Sequence, residues 1–427
     1  MFMERTFMLS KNISNTLLTA FGFFIATSFG HAQPVPIPGQ PIQPVSVKPS
    51  ATSQSKTTLE EGKLTPLQKQ FLNSGKSGAD WLFRVNTMKG RFLNGIRPAL
   101  KAEMEDENFL HQAGAAYALA KAAKIFKEER FAARASQSLL LLLEDTMTDS
   151  KDSTIRYTLL PNQVLDRQAS AGLMLLAIHE LPNPQSDLLE AGEQLANYLR
   201  VQIQSNGSID KESAVEEMDS KGSESAIAIC AILKSNHLRP ASWKTDIAYK
   251  AIAARWNAWK NQKEFAPTFW RVEALRLAYS ISHEKAYANL CFELADKMAT
   301  MQFDRIDPRK PNWFGGLKQE VVPGMNAPPS IMTALLAQGF VSACQCAQLA
   351  ADQSRSERYQ SKLEQALQFT QTLQYTEANT LHFSDWFRSR LLGGFHRSLQ
   401  DGDLRLDYSY HAVMACCGYQ ECLGSAQ

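Results

Sequence analysis

The sequence has almost no net charge: 45 Lys and Arg stand against 43 Asp and Glu in 427 residues, a formal +2. A nucleic-acid backbone or an anionic lipid surface as main partner asks for a basic excess, so neither is expected; the partner is neutral or recognised locally. The chain has no Gly-rich phosphate loop, no His-Glu-x-x-His and no Gly-x-Ser-x-Gly. P-loop, zincin and α/β-hydrolase chemistries are excluded accordingly. From Leu64 onward no run alternates apolar and polar residues strictly enough to read as a strand. No Cys precedes residue 230, and the seven that follow are Cys230, Cys291, Cys344, Cys346, Cys416, Cys417 and Cys422.

What is present begins with a leader. Arg5 and Lys11 precede an apolar stretch from Leu17 to Phe29, and Gly30-His31-Ala32 has the small-residue pattern of a cleavage site. Residues 1–32 therefore read as a signal peptide cut after Ala32, which places the mature chain in the periplasm or outside the cell. The stretch is short for a bilayer; no membrane span is expected after cleavage, with an uncleaved anchor as the alternative. Residues 33–63, rich in Pro, Ser, Gln and Thr without apolar periodicity, read as a disordered linker. An odd Cys count in an exported chain leaves at least one thiol free or shared between chains. Strings such as AICAIL and ANLCFEL suit Cys as a small buried hydrophobe. Cys344 and Cys346, two apart on a helix, face different ways, which argues against a metal pair.

Residues 64–427 are long enough to bury a large core, and they alternate two kinds of helix. Amphipathic helices with one charged face are expected over 66–85, 128–147, 185–204, 241–262, 283–303 and 355–375. Between them come helices dense in Ala, Leu, Ile and Gly, over 108–126, 166–181, 222–235, 268–282, 329–351 and 407–422. A helix apolar nearly all round must be buried on most faces, so the second kind belongs inside the first. The expectation is an all-α fold, an (α/α)6 toroid of six helical hairpins. An open solenoid is the alternative; small-residue runs such as AGAAYALAKAA and SAGLMLLA favour close inner packing and a closed ring.

The loops NTMKGRF, QIQSNGSI, MQFDRIDPRKPNWFGGL and LQYTEANTLHFSDWFRSRLLGGF each follow an outer helix, and each carries Gly before a hydrophobic residue. Gly admits the positive φ of a tight turn. Helix, Gln, Gly-Gly-hydrophobic turn and buried helix together resemble the repeat of the terpenoid cyclase and protein prenyltransferase α/α-toroid superfamily. GGFHRSLQDGDLRLDYSYHAVMACCGY is also similar to the last repeat of prenyltransferase β subunits. That family would complete a zinc site with an Asp-x-Cys, which is missing here, and Asp407 to His411 is one residue longer than its spacing. The acid motif Asp-x-Asp-Asp of squalene-type cyclases is missing too. Six-hairpin toroids are similar in layout to glycan-active hydrolases, lyases and epimerases, and export suits those better.

The starts of the inner helices should converge on one mouth, with N-terminal N–H groups that favour anionic or hydroxyl-rich ligands. His111, Gln112, Asp166, Arg167, Glu224, Trp270, Arg271, Glu273, Asp407, Tyr408, Tyr410 and His411 fall there. Asp407 and His411, four apart, share a helix face and could pair as carboxylate and imidazole; Asp407 as a helix cap and His411 as a satisfied core group is the alternative. Arg271 and Glu273 interrupt a buried helix, either as an ion pair or facing a wet cavity. In the last two loops, Trp313, Phe314, Trp386 and Phe387 offer rings for sugar faces. Arg388 and Arg390, with His396 beside them, would grip the carboxylate of an acidic glycan. Pinning the loops to the rim is the alternative role. Asp407, His411 and Asp385 are the catalytic candidates, with Trp313, Trp386, Arg388, Arg271, Glu273, Tyr408, Tyr410 and His111 as binding candidates and neither metal nor cofactor expected. The function expected is binding, cleavage or isomerisation of a carbohydrate at the mouth. A scaffold binding a protein or peptide and an isoprenoid-binding protein are the alternatives.

Overall fold

The computed structural model describes residues 64–105, 108–159, 167–209, 224–261, 268–322 and 324–425. The expected leader and linker and Asp166 lie outside them, as does the Glu224 side chain. In chain order the described helices are α1 (Pro66–Val85), α2 (Phe109–Phe126), α3 (Glu129–Glu144), α4 (Arg167–Glu180), α5 (Ser186–Gln202), α6 (Glu224–Leu238) and α7 (Ser242–Asn261). They continue as α8 (Thr268–Ser282), α9 (Lys285–Thr300), α10 (Thr333–Leu349), α11 (Gln353–Gln371), the short α12 (Asp385–Leu391) and α13 (Leu406–Ser425). Local chemistry sets the ends. Thr65 and Gln68 form a reciprocal capping box ahead of α1, and the Asn108 side chain accepts from the Leu110 and His111 amides to start α2.

The inner helices are buried on nearly every side; in α4 each residue from Gln168 to Glu180 is. Each packs on the next, α2 on α4, α4 on α6, α6 on α8, α8 on α10 and α10 on α13, and α13 returns to α2. The ring is closed, as the small residues led us to expect. Each inner helix also lies along the outer helix that follows it, and α13, the last described helix, takes α1.

One device recurs at four outer-to-inner junctions. A residue one to three places past the outer helix bridges to a hydrophobic residue two beyond a glycine: Asn86 to Phe92, Ile203 to Ile209, Gln302 to Leu317, and Gln374 to Phe395. Gly90, Gly207, Gly315 and Gly393 all have positive φ. At the last three the backbone is pressed against the next outer helix, Gly207 against the Lys250 carbonyl of α7. A Cβ on Gly315 would stand 2.0 Å from the Gln365 carbonyl oxygen on α11, and one on Gly393 2.2 Å from that of Ser77 on α1. Gln302 and Gln374 lock the arrangement. Gln302 Nε2 donates to the carbonyls of Gly315 (3.1 Å) and Lys362 (2.9 Å), and Gln374 Nε2 to those of Gly393 (2.9 Å) and Ser74 (3.0 Å). The junction after α11 thus treats α1 as its next repeat, and the outer layer closes as the inner one does.

The junction loops also hold short strands that the sequence did not announce: β1 (Gly95–Arg97), β2 (Ala102–Glu103), β3 (Thr146–Thr148), β4 (Arg156–Thr158), β5 (Gln319–Val322), β6 (Met325–Ala327), β7 (His396–Ser398) and β8 (Asp401–Arg405). Runs of two to five residues are too short to display a period of two. Sheet order β2-β1-β8-β7, with Ile96 opposite both Glu103 and Leu404, joins the first junction to the last across the closure.

Candidate functional site

Two connected layers of polar groups occupy the barrel. The upper one lies at the inner-helix N-termini. His111 on α2 has Nδ1 3.4 Å from Asn94 Oδ1 and Nε2 3.8 Å from Asp407 Oδ2. Arg405 donates to both oxygens of Asp407, at 3.0 and 3.1 Å. The Tyr410 ring lies 4.3 Å from that of His411 and is seated over Gly114, where a Cβ would come within 2.6 Å of it. Gln338 Nε2 on α10 donates to His411 Nδ1 at 2.9 Å, which leaves the ring proton on Nε2, and Phe269 meets the same ring edge-on. Asp407 and His411 are therefore neighbours but not partners. Burial lowers the imidazole to about 3 against the pull of Asp407, and a neutral ring is a weaker partner for a carboxylate than the Arg405 guanidinium two residues away.

Beneath this layer a cavity of about 530 Å³ runs along the barrel. Its lining starts at Phe269, Trp270 and Gln338 in the early turns of α8 and α10 and reaches Leu349 and Glu421 near the ends of α10 and α13. Its charges come in matched sets. Glu273 accepts two bonds from Arg276, at 2.6 and 2.7 Å, and one from Ser342 Oγ at 2.9 Å. Lys121 Nζ lies 2.7 Å from Glu421 Oε2. Lys234 pairs with Glu180, which Lys124 also approaches at 3.3 Å, and the Tyr117 hydroxyl sits 3.4 Å from Lys234 Nζ. Burial alone would raise the Glu180 carboxyl, but Lys234, Lys121 and Lys124 outweigh it and hold the group down to about 2. Glu273 is likewise lowered, burial being overcome by Arg276. Both carboxylates are ionised at neutral pH, and burial raises the Tyr117 phenol, which stays protonated.

The sequence-derived candidates do not all meet. His111, Asp407, Tyr410 and His411 meet in the upper layer, and Glu273 and Trp270 line the cavity. Arg271 does neither: it is buried on the outer side of α8 with its guanidinium 5.9 Å from the Trp259 ring of α7, so the partner of Glu273 is Arg276. Tyr408 is half-buried under Arg405 at 5.1 Å. Gln112 is buried, bonded to both backbone groups of Phe92 at 2.8 Å, and the loop candidates are on the rim. Trp313 packs on Phe303 with the Lys310 ammonium 4.0 Å from its ring. Arg388 pairs with Glu377, and Arg390 with Glu103. Phe387 is buried, Trp386 is 62% exposed, and the Asp385 side chain is 98% exposed with Arg388 3.7 Å away. His396 is held between the Ser398 carbonyl (2.8 Å) and Tyr375.

Sequence reasoning passed over Lys121, Glu180, Lys234, Arg276 and Glu421. The signal was there: each is a charge in an otherwise apolar string, as in AYALAKAA, LLAIHE, CAILKSN and CCGYQECL, and the argument applied to Glu273 holds for all of them. Among the described residues no group of three His, Cys, Asp or Glu side chains is placed to hold a metal ion, and no helix is long and apolar enough to cross a membrane.

No protein-family model and no curated protein matches the chain. Solved structures do. An unsaturated glucuronyl hydrolase specific for heparin is similar at 12% identity and TM-score 0.54, over 83% of this chain and 98% of its own. D-mannose isomerase is similar at 15% and 0.58, over 84% and 99%, and cellobiose 2-epimerase from Bacillus thermoamylovorans B4167 at 11% and 0.58, over 83% and 99%. At such identities the likeness is one of fold, the α/α-toroid. These neighbours are carbohydrate enzymes, not the cyclases and prenyltransferases that the Gly-Gly junctions resemble.

Proposed function

We propose that this protein is a carbohydrate-active toroid that takes an uncharged, hydroxyl-rich sugar into its barrel, outside the cytoplasm. The observation that carries the reading is the pairing within the cavity: its lining cations, Lys121, Lys234 and Arg276, each have a carboxylate partner. An anionic ligand would have to break a buried pair, at a cost of several kcal/mol. A sugar hydroxyl can instead donate to Glu273 or Glu421 and accept from Gln345 or Lys121 while the pairs stay intact, and Trp270 and Tyr117 present ring faces to sugar C–H groups. The volume lies within the range of about 300–1,000 Å³ usual for small-ligand sites. Two fold neighbours are named for mannose and cellobiose, sugars without charge. The rim arginines, engaged by Glu377 and Glu103, no longer favour an acidic glycan. So charged a lining is also a poor solvent for an isoprenoid.

Glu273 is the carboxylate set to accept a proton from a bound sugar, with His111 and Asp407 above it as the second group to test. Calorimetric titration with neutral and uronic sugars is the direct test, coupled to assays for released reducing ends and for isomerised product. Binding of neutral sugars, lost in Glu273→Gln and Trp270→Ala, is expected. Preference for uronates, or equal binding by both variants, overturns the reading. Export is tested separately: the mature N-terminus should be Gln33.

A further inference from the structure

The seven cysteines are all buried thiols in this structure, and four of them stand in two pairs on either side of α10. The first pair follows from how α10 meets α13. Gly418 lies over Val341, where a Cβ would come 2.7 Å from Val341 Cγ1. These neighbouring inner helices run in the same direction, so one turn further on Cys422 comes level with Cys344. Cys422 Sγ reaches the Val341 carbonyl at 3.6 Å, and the thiols of Cys344 and Cys422 contact one another. The second pair follows from how α10 meets α9, which runs the opposite way. Gly339 lies over Met298, where a Cβ would come 2.1 Å from Met298 Cε. Seven residues forward on α10 is Cys346, and seven back on α9 is Cys291. Their thiols are also in contact. Cys344 and Cys346, two apart, thus serve opposite faces of one helix.

We propose that α10 is stapled on both faces by disulfides, Cys344 to Cys422 and Cys346 to Cys291, formed by exchange with a small-molecule disulfide in an oxidising compartment. In each exchange a thiolate attacks the oxidant's sulfur and displaces one thiol, and the second cysteine then displaces the other. Two protons and two electrons leave the protein, and one disulfide of the oxidant becomes two thiols. Cys344 is suited to attack first, because hydrogen bonds from Cys422 and Ser356 hold its thiol below the usual range. The staples join the closing helix α13 and the outer helix α9 to the helix that carries Gln338, Ser342 and Gln345 into the cavity. They also account for the odd count: seven less four leaves Cys230, Cys416 and Cys417 as thiols.

The test is a thiol count on the full chain after equilibration with oxidised and reduced glutathione. Remaining thiols are labelled with a maleimide in denaturant without reductant, and the protein is mapped by mass spectrometry. Three labels are expected, at Cys230, Cys416 and Cys417, with cross-linked peptides joining 344 to 422 and 291 to 346. Cys344→Ser should give four labels, the new one on Cys422, and leave the second staple intact. Seven labels on the oxidised wild type, or cross-links between other cysteines, would overturn the proposal.

Discussion

At the scale of single residues, the buried charges make the sharpest predictions. Glu273→Gln keeps the side-chain shape but leaves Arg276 without its counter-charge, so a loss of about 3 kcal/mol is expected in urea denaturation. Adding Arg276→Met should restore much of that stability and none of the sugar binding, which separates the structural role of the pair from its role toward ligand. Acid sensitivity has two onsets. His179 on α4 is buried, and no hydrogen bond reaches either ring nitrogen; burial first, then Lys244 and Lys234, lowers it to about 3. Between an unfolded value near 6.5 and that folded value the unfolded chain binds the extra proton, so stability falls as pH drops through this window. Glu180, depressed to about 2 from 4.5, contributes stability that is complete above 4.5 and lost below it. His179→Leu should therefore flatten the decline in urea midpoint between pH 7.5 and 5 and leave the steeper fall below 4.5. It will not abolish the first slope, because His411, His237 and His396 are also lowered by burial. An unchanged slope in the variant would show that His179 does not contribute to the first decline.

At the scale of elements, the junction glycines allow a controlled comparison. Gly324, at the tip of the β5–β6 hairpin, has φ +80° and nothing within 4 Å of a Cβ; Gly393 has φ +87° and the Ser77 carbonyl in the way. Gly324→Ala should cost only the left-handed conformation, about 1 kcal/mol. Gly393→Ala should cost clearly more in the same melts, because α1 must move off the junction. The contrast also shows what was legible in the sequence. A glycine before a hydrophobic residue at the end of an outer helix can be read directly, because few other residues allow that turn, and the helix boundaries follow from apolar periodicity. Partner choice cannot be read so. The i, i+4 spacing of Asp407 and His411 sets a shared face correctly, but Arg405 and Gln338, from strand β8 and from another helix, decide the pairing. Arg271 and Arg276 look alike in the string WRVEALR; only the orientation of α8 sends one outward to Trp259 and the other into the cavity.

At the scale of the molecule, closure is the property to test, because a closed ring and an open stack of the same hairpins differ in cooperativity. In an open stack a terminal unit contacts one neighbour and can be removed with a proportionate loss. Here α1, the first described helix, has neighbours on both sides: Phe71 meets Tyr419 edge-on at 5.2 Å, Gly75 lies against Cys416, and Gly78 against Val413. Those last contacts fix an antiparallel register in which residue numbers sum to 491, so Pro66 falls opposite Ser425 and the two ends of the described ring are adjacent. A short Gly/Ser linker from Ser425 to Leu64 should then be tolerated, with new termini at the exposed turn around Lys151 between β3 and β4. This circular permutant should melt in a single transition like the parent. Deleting residues 64–86 from the parent should abolish the cooperative transition, because it bares α13, removes the surface that receives the Gly393 junction and opens the outer layer. If the deletion variant kept a cooperative melt with only a smaller enthalpy, the contacts between α1 and α13 would be incidental and the hairpins would behave as a stack.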